Sequence, residues 1–247
     1  MADWKGCAKG NYQVGRPGQF QPEAVVIHIM DGGLSGTDAW FNDRRARVSA
    51  HYGIGKGGEV HQYVKEADTA FHAGTVDRPS WPLLKPRVNP NFYTIGIEHE
   101  GLAETPWPWP AAQLHASATL VREVLDRWGI PVVLDRIVPH HLIRAGKTCP
   151  GVHFDRAAYL ATVVATVPPA VTAAPLASAV DVRVVESTTT RSWPRSDSAP
   201  VTVKTRGQTM RVAQVATGES LMGNATWYGV GPHEFIWAGA TSLPHQG

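Results

Sequence analysis

The run AVVIHIM (Ala24–Met30) constrains this chain more than any other stretch. It is apolar except for one histidine, rich in β-branched residues, and bounded by Pro22 on one side and Asp31-Gly32-Gly33 on the other. Such a run reads as a short buried strand. An imidazole inside it is costly unless it has a partner. His28 is therefore either a satisfied core residue or a group held there for chemistry.

Other elements surround that strand in the sequence. Ser49–Val64 (SAHYGIGKGGEVHQYV) reads as two strands about a Gly57-Gly58 turn. Thr94–Gly101 (TIGIEHEG) is a further short strand ending in glycine. After the Pro106–Pro110 loop, Leu114, Ala118, Val121, Leu125 and Trp128 form one helical stripe that stops at Gly129. A second short helix is expected over Phe154–Val164. Strands mixed with helices predict an α/β or α+β domain.

Composition changes at Thr166. Ala165–Val180 is rich in Ala, Pro, Ser and Thr and has no charge until Asp181. Residues 166–180 read as a linker between a domain over 1–165 and a small unit over 181–247. In that last unit VRVVE, PVTVKT, TMRVAQVATG, WYGVG and EFIWAG alternate between turn residues, as in a small all-β unit.

Several function classes fall away. A formal net charge of +2 with 18% charged residues gives no basis for nucleic-acid binding. No apolar run approaches the roughly 18 residues needed to span a bilayer, so membrane insertion is not expected. The first twenty residues lack an apolar stretch of signal-peptide type. The expectation is synthesis in the cytoplasm, with any action outside the cell following release. Two cysteines, Cys7 and Cys149, cannot build a disulfide framework. Nine tryptophans are many for 247 residues and serve either the core or a ligand groove.

The chemistry concentrates in PHHLIRAGKTCPG (Pro139–Gly151). A catalytic zinc takes three protein ligands and keeps one position open. His140 and Cys149 flank a short loop that lets both turn towards one point. His141, adjacent on an extended backbone, faces the other way. The rival reading makes Cys149 a nucleophile activated by a histidine, with Lys147 lowering its pKa. Local sequence leaves the two level, with a plain structural loop as a third option. Glu98 stands in the apolar strand IGIE, where a carboxylate is uncommon unless paired or functional. Near a zinc-bound water it could act as general base; the alternative is a solvated strand end, since Glu100 and Gly101 follow at once. His72, between aromatic and small residues in AFHAG, is the remaining histidine best placed to line a cleft.

Taken in order, VVIHIM, VSAHYGIGKGGEVHQYV, TAFHAG, NPNFYTIGIEHEG and HHLIRAGKTCPG resemble the zinc-dependent N-acetylmuramoyl-L-alanine amidases of the type-2 kind, over about residues 20–162. That family shares its fold with peptidoglycan recognition proteins and phage endolysins. The resemblance implies an α/β fold with a mixed central sheet flanked by helices. It implies Zn2+ held by His28, His140 and Cys149, Glu98 as general base, and Lys147 as the cation facing the oxyanion. One branch uses a tyrosine just before the hairpin histidine, where this chain has Ala50, with Tyr52 beyond His51; that departure favours Glu98. His72, His51 and Trp81 are assigned to substrate contact. The implied reaction cleaves muramic acid from the L-alanine of the stem peptide, with bacterial peptidoglycan as substrate and a monomer as the working unit. The last unit resembles a bacterial Src-homology-3-type cell-wall-binding barrel through VRVVESTTTRSWP, TWYGVG and EFIWAG, its glycine-rich run being altered.

Two other readings stand beside this one. A peptidoglycan-binding protein without catalysis would hold muropeptides and release no product. A thiol hydrolase using Cys149 would be inactivated by alkylation and indifferent to chelators.

Overall fold

The strand β3 (Ala24–Ile29) is buried along its whole length and lies next to the end of a six-stranded sheet. We describe the protein from a computed structural model, over residues 2–166, 173–196, 198, 200–231 and 234–243. The chain divides into two compact units, Met1–Asp126 with Ile130–Pro168, and Arg127–Gly129 with Pro169–Gly247.

The first unit contains β1 (Asp3–Trp4), β2 (Tyr12–Gln13), β3, α1 (Leu34–Asn42), β4 (Tyr52–Ile54), β5 (Val60–Gln62), β6 (Thr69–Ala70), β7 (Thr94–His99), α2 (Ala111–Arg127), β8 (Ile137–Pro139) and α3 (Arg156–Ala165). Its main sheet runs β1-β5-β4-β7-β3-β8, while β2 and β6 form a separate ribbon. The pairs β4–β7, β7–β3 and β3–β8 are parallel, and β4–β5 is the antiparallel hairpin expected around Gly57-Gly58. Gly58 sits in the left-handed region at φ +91°, which glycine adopts without strain.

Parallel strands covered on both faces read as continuous apolar runs, and β3 and β7 do so except at His28, Thr94, Glu98 and His99. Register partners on neighbouring strands share a face. Ala24, Val26 and His28 thus stand beside Thr94, Gly96 and Glu98, and Ile29 beside His99 on the opposite face. On that opposite face His99 reaches Ser117 of α2, which in turn meets Tyr159 of α3. The α2 stripe buries Ala118, Val121, Val124 and Leu125. The second predicted helix begins at Arg156, because the Asp155 side chain accepts from the amides of Ala157 and Ala158 and caps it there.

The second unit is one antiparallel sheet: β9 (Ala173–Arg183), β10 (Thr188–Arg191), β11 (Pro200–Lys204), β12 (Thr209–Leu221), β13 (Asn224–Gly231) and β14 (Glu234–Trp237), in the order β11-β10-β14-β13-β12-β9. Val182, Val184, Val212, Tyr228 and Ile236 form its core. The segment read as linker is corrected in part. Residues Ala173–Val180 belong to β9 and pair with β12 from Ala216 back to Val212. Leu176 and Val180 pack on the core of this unit, which explains why a low-charge stretch is strand and not tether. Residues 167–172 of that expected linker lie outside the described residues.

Candidate metal centre

Three parallel strands end at one level and deliver the site. His28 is the register partner of Glu98 across β3–β7, and Ile27 is the partner of Pro139 across β3–β8. His140 follows Pro139 directly, in a 3-10 turn, and so arrives beside His28. In open α/β sheets the carboxyl ends of the strands are where ligands bind.

The loop that carries the third member closes on itself. The backbone amide of His141 donates to the Cys149 carbonyl at 3.1 Å, and the His141 ring Nδ1 lies 3.1 Å from that same oxygen. Amides of Ile143 and Arg144 donate to the His140 carbonyl. His141 thus turns away from the centre and holds the loop, while Cys149 Sγ comes to 3.7 Å from His28 Nδ1. The Ile29 amide donates to that sulfur at 3.3 Å.

His28, His140 and Cys149 each offer one ligand atom, and these atoms lie within 4.8 Å of one another. His28 Nδ1 and His140 Nδ1 are 3.1 Å apart. His140 Nε2 lies 3.0 Å from the Ala73 carbonyl, which can only accept, so its proton is there and its Nδ1 is a bare lone pair. Two imidazole nitrogens, one of them bare, and a sulfur meet at distances close to the roughly 3.3 to 3.8 Å edges of a tetrahedral zinc set. Two imidazoles and a thiolate are also the donor chemistry that zinc favours. The residues fit the metal.

Electrostatics point the same way. Burial pulls the pKa of His28 well below its ordinary value and takes His140 down to about 4, so both rings are neutral, as ligands must be. Burial pushes the Cys149 thiol up, which suits a ligand ionised only by a metal better than a free thiolate nucleophile. Glu98 is raised to about 8, by burial first and then by the charge of Asp31. Its Oε1 lies 4.0 Å from His28 Nδ1, and its Oε2 is buried with no hydrogen-bond partner among the described residues.

These groups line one cleft of about 400 Å³, together with Lys147, Arg144, His72 and an apolar side made by Trp40, Val48 and Phe71. Lys147 is exposed at its rim.

Two of the expected substrate contacts are elsewhere. Trp81 is 4% exposed, stacks on Tyr93 at 5.8 Å, donates its indole N–H to the Asp135 carbonyl, and belongs to the core. Its burial, not a ligand, accounts for its aromatic ring. His51 is fully buried behind His72, with Nδ1 accepting the Gly96 amide and Nε2 near the Asp68 carbonyl and Arg16. His72 does reach the cleft, but both of its nitrogens are engaged, by His28 and Thr94. Tyr52 sits on the other face of the sheet, in register with Ile97, and its hydroxyl donates to Glu66 at 2.6 Å.

Trp40, 51% exposed at the cleft edge, and Arg144 were not foreseen from sequence. Trp40 lies on α1, a nine-residue helix with a glycine inside it and a weak apolar stripe, so periodicity carried little signal there.

Comparison with known proteins follows the same residues. The profile of the N-acetylmuramoyl-L-alanine amidase family, Amidase_2, matches residues 18–152. N-acetylmuramoyl-L-alanine amidase A of Achromobacter lyticus is 37% identical over 130 residues, covering 52% of this chain and 64% of that protein. The 1,6-anhydro-N-acetylmuramyl-L-alanine amidase AmpD of Haemophilus influenzae is 35% identical over 118 residues, covering 47% and 59%. This chain therefore spans less than two thirds of either relative. The crystal structure of a selenomethionine AmpD derivative has a TM-score of 0.54 and 28% identity, covering 65% of this chain and 93% of that one. The matched span contains every member of the cluster and more than half of the sequence, and the chain belongs to the N-acetylmuramoyl-L-alanine amidase family.

Proposed function

We propose that this protein hydrolyses the amide between N-acetylmuramic acid and the L-alanine of the peptidoglycan stem peptide, with zinc held by His28, His140 and Cys149. The observation that carries the reading is the pair of Nδ1 atoms 3.1 Å apart beside a buried thiol, with a Glu98 oxygen in the same cleft that has no partner among the described residues. Zinc, when bound, supplies a Lewis acid that lowers the pKa of water and offsets negative charge developing at the scissile carbonyl.

The chain's own groups supply the rest. Glu98 Oε2, when ionised, takes the proton from the attacking water and returns it to the leaving alanine nitrogen, and the burial that raises its pKa to about 8 makes that carboxylate a stronger base. The Lys147 ammonium, at the cleft rim, donates to the oxygen that becomes negative. Arg144 offers a second cation to the anionic stem peptide, and Trp40, Val48 and Phe71 offer an apolar surface for sugar ring or lactyl group. The second unit is read as a Src-homology-3-like barrel that keeps the enzyme on the wall and raises its local concentration, as in a wall-lytic endolysin or autolysin acting as a monomer.

Digestion of purified peptidoglycan, followed by mass spectrometry, tests the reading. Intact glycan strands and free stem peptides beginning with L-alanine are expected, suppressed by chelator and restored by zinc. Muropeptides bound without any product would make this a recognition protein. Activity that survives zinc removal but not alkylation would make it a thiol hydrolase.

A further inference from the structure

The hydrogen bonds behind His28 have one direction only. The Thr94 hydroxyl has a single proton and gives it to the Pro90 carbonyl at 2.7 Å. Its contact of 3.2 Å with His72 Nε2 is therefore made by the ring donating to it. His72 is buried among other histidines, which disfavours a second proton, so its Nδ1 is an acceptor. That Nδ1 lies 3.1 Å from His28 Nε2, which has to be the donor. His28 is left with its lone pair on Nδ1, the atom facing His140 and Cys149.

We propose that His72, held by Thr94, sets the tautomer of His28 and so commits this histidine to binding the metal through Nδ1. The proposal rests on the zinc reading of the site and makes His72 a positioning residue, in place of the substrate contact expected from sequence.

Three further features fit this role. Any Cβ at position 96 would come within 2.3 Å of the His72 ring, so Gly96 is the space in which the ring stands. The backbone of the segment is fixed from beneath, since the Asn91 side-chain oxygen accepts from the amides of His72 and Ala73 at 3.1 and 2.8 Å. Ala73 meanwhile presents its carbonyl to His140 Nε2. Two adjacent residues thus orient both imidazole ligands, one through a side chain and one through the main chain. Partners of this kind fix ring orientation and ligand basicity, and losing one typically costs about 10 to 100-fold in metal affinity.

The test reads protons and metal, not only turnover. In metal-free wild type, long-range nitrogen NMR should find the His28 proton on Nε2 with Nδ1 bare. Zinc affinity, measured by competition with a chromophoric chelator, should fall about 10-fold in Thr94→Val and up to about 100-fold in His72→Phe. His72→Gln, whose amide can accept from His28 and donate to Thr94, should stay within about 3-fold of wild type. Circular dichroism and thermal unfolding without metal select the variants that are folded. A wild-type proton on His28 Nδ1, or unchanged zinc affinity in folded Thr94→Val and His72→Phe, overturns the proposal. A wild type that has the expected tautomer and binds zinc but releases no product would overturn the amidase reading and leave this one standing.

Discussion

His28 and Glu98 are register partners on adjacent parallel strands, and His28 Nδ1 stands 4.0 Å from Glu98 Oε1. A would-be ligand and a would-be base are thus placed by the same backbone ladder. Rigid elements hold such pairs more closely than loops do, and several expectations rest on this arrangement.

Glu98→Gln keeps the shape and removes the proton acceptor. Activity on muropeptides should fall by about 10²- to 10⁴-fold, while zinc content stays at the wild-type level. Because the carboxyl is buried with one oxygen that has no partner among the described residues, the variant should unfold at the same temperature or higher. Zinc loss in parallel with activity would move Glu98 from base to ligand support.

Cys149→Ala should lose bound metal and activity together, while Cys149→Asp keeps an ionisable ligand and should retain zinc with reduced turnover. Iodoacetamide should react slowly with the zinc-loaded protein and faster after chelation. Metal analysis alongside peptide mapping reads both effects. Rapid alkylation of Cys149 with zinc still bound would contradict its role as ligand.

Trp40→Ala tests the apolar side of the cleft. Loss of one aromatic stacking contact of about 0.5 to 1.5 kcal/mol should raise KM by roughly 2- to 10-fold, with kcat nearly unchanged. An unaltered KM would place the sugar and peptide elsewhere.

Trp81→Phe separates core from ligand contact. The indole hydrogen bond to Asp135 is lost, costing about 1 kcal/mol of stability, and KM should not move. Trp81→Ala should cost about 3 to 5 kcal/mol through the cavity it leaves.

Acid should loosen the first unit by a calculable route. His99 is buried between the His28 carbonyl and Ser117, and burial takes its pKa from 6.5 to about 4. The unfolded chain gains a proton below pH 6.5 that the folded chain refuses. The stabilisation is complete above that pH and is lost as pH falls towards 4, at about 1.4 kcal/mol per pH unit once the unfolded histidine is charged. Urea unfolding of chelator-treated protein between pH 7 and 4.5 should reveal this slope, and His99→Gln should flatten it by about one proton. An identical slope in the variant would assign the acid sensitivity to other groups.

Much of the local structure was legible from residue order. The β3 run, the Gly57-Gly58 hairpin and the α2 stripe all follow from periodicity and turn chemistry. Helix α1 was not legible, since Gly36 and a weak stripe hide it. Nor was the start of β9, where alanine and proline masked a strand whose apolar contacts, Leu176 and Val180, are sparse.

By itself, the sequence determined which residues could do chemistry here. A histidine in an apolar strand, a glutamate in another, and a histidine and cysteine flanking a short loop are chemical facts that need no coordinates. Only the tertiary structure decided which of them meet. Interstrand register sets His28 beside Glu98, loop closure turns Cys149 inward and His141 outward, and packing sends Trp81 and His51 into the interior. Periodicity reports how deeply a residue is buried. The neighbour it faces, and so which ring nitrogen carries its proton, depends on groups far along the chain, as the His28–His72–Thr94 contacts make plain.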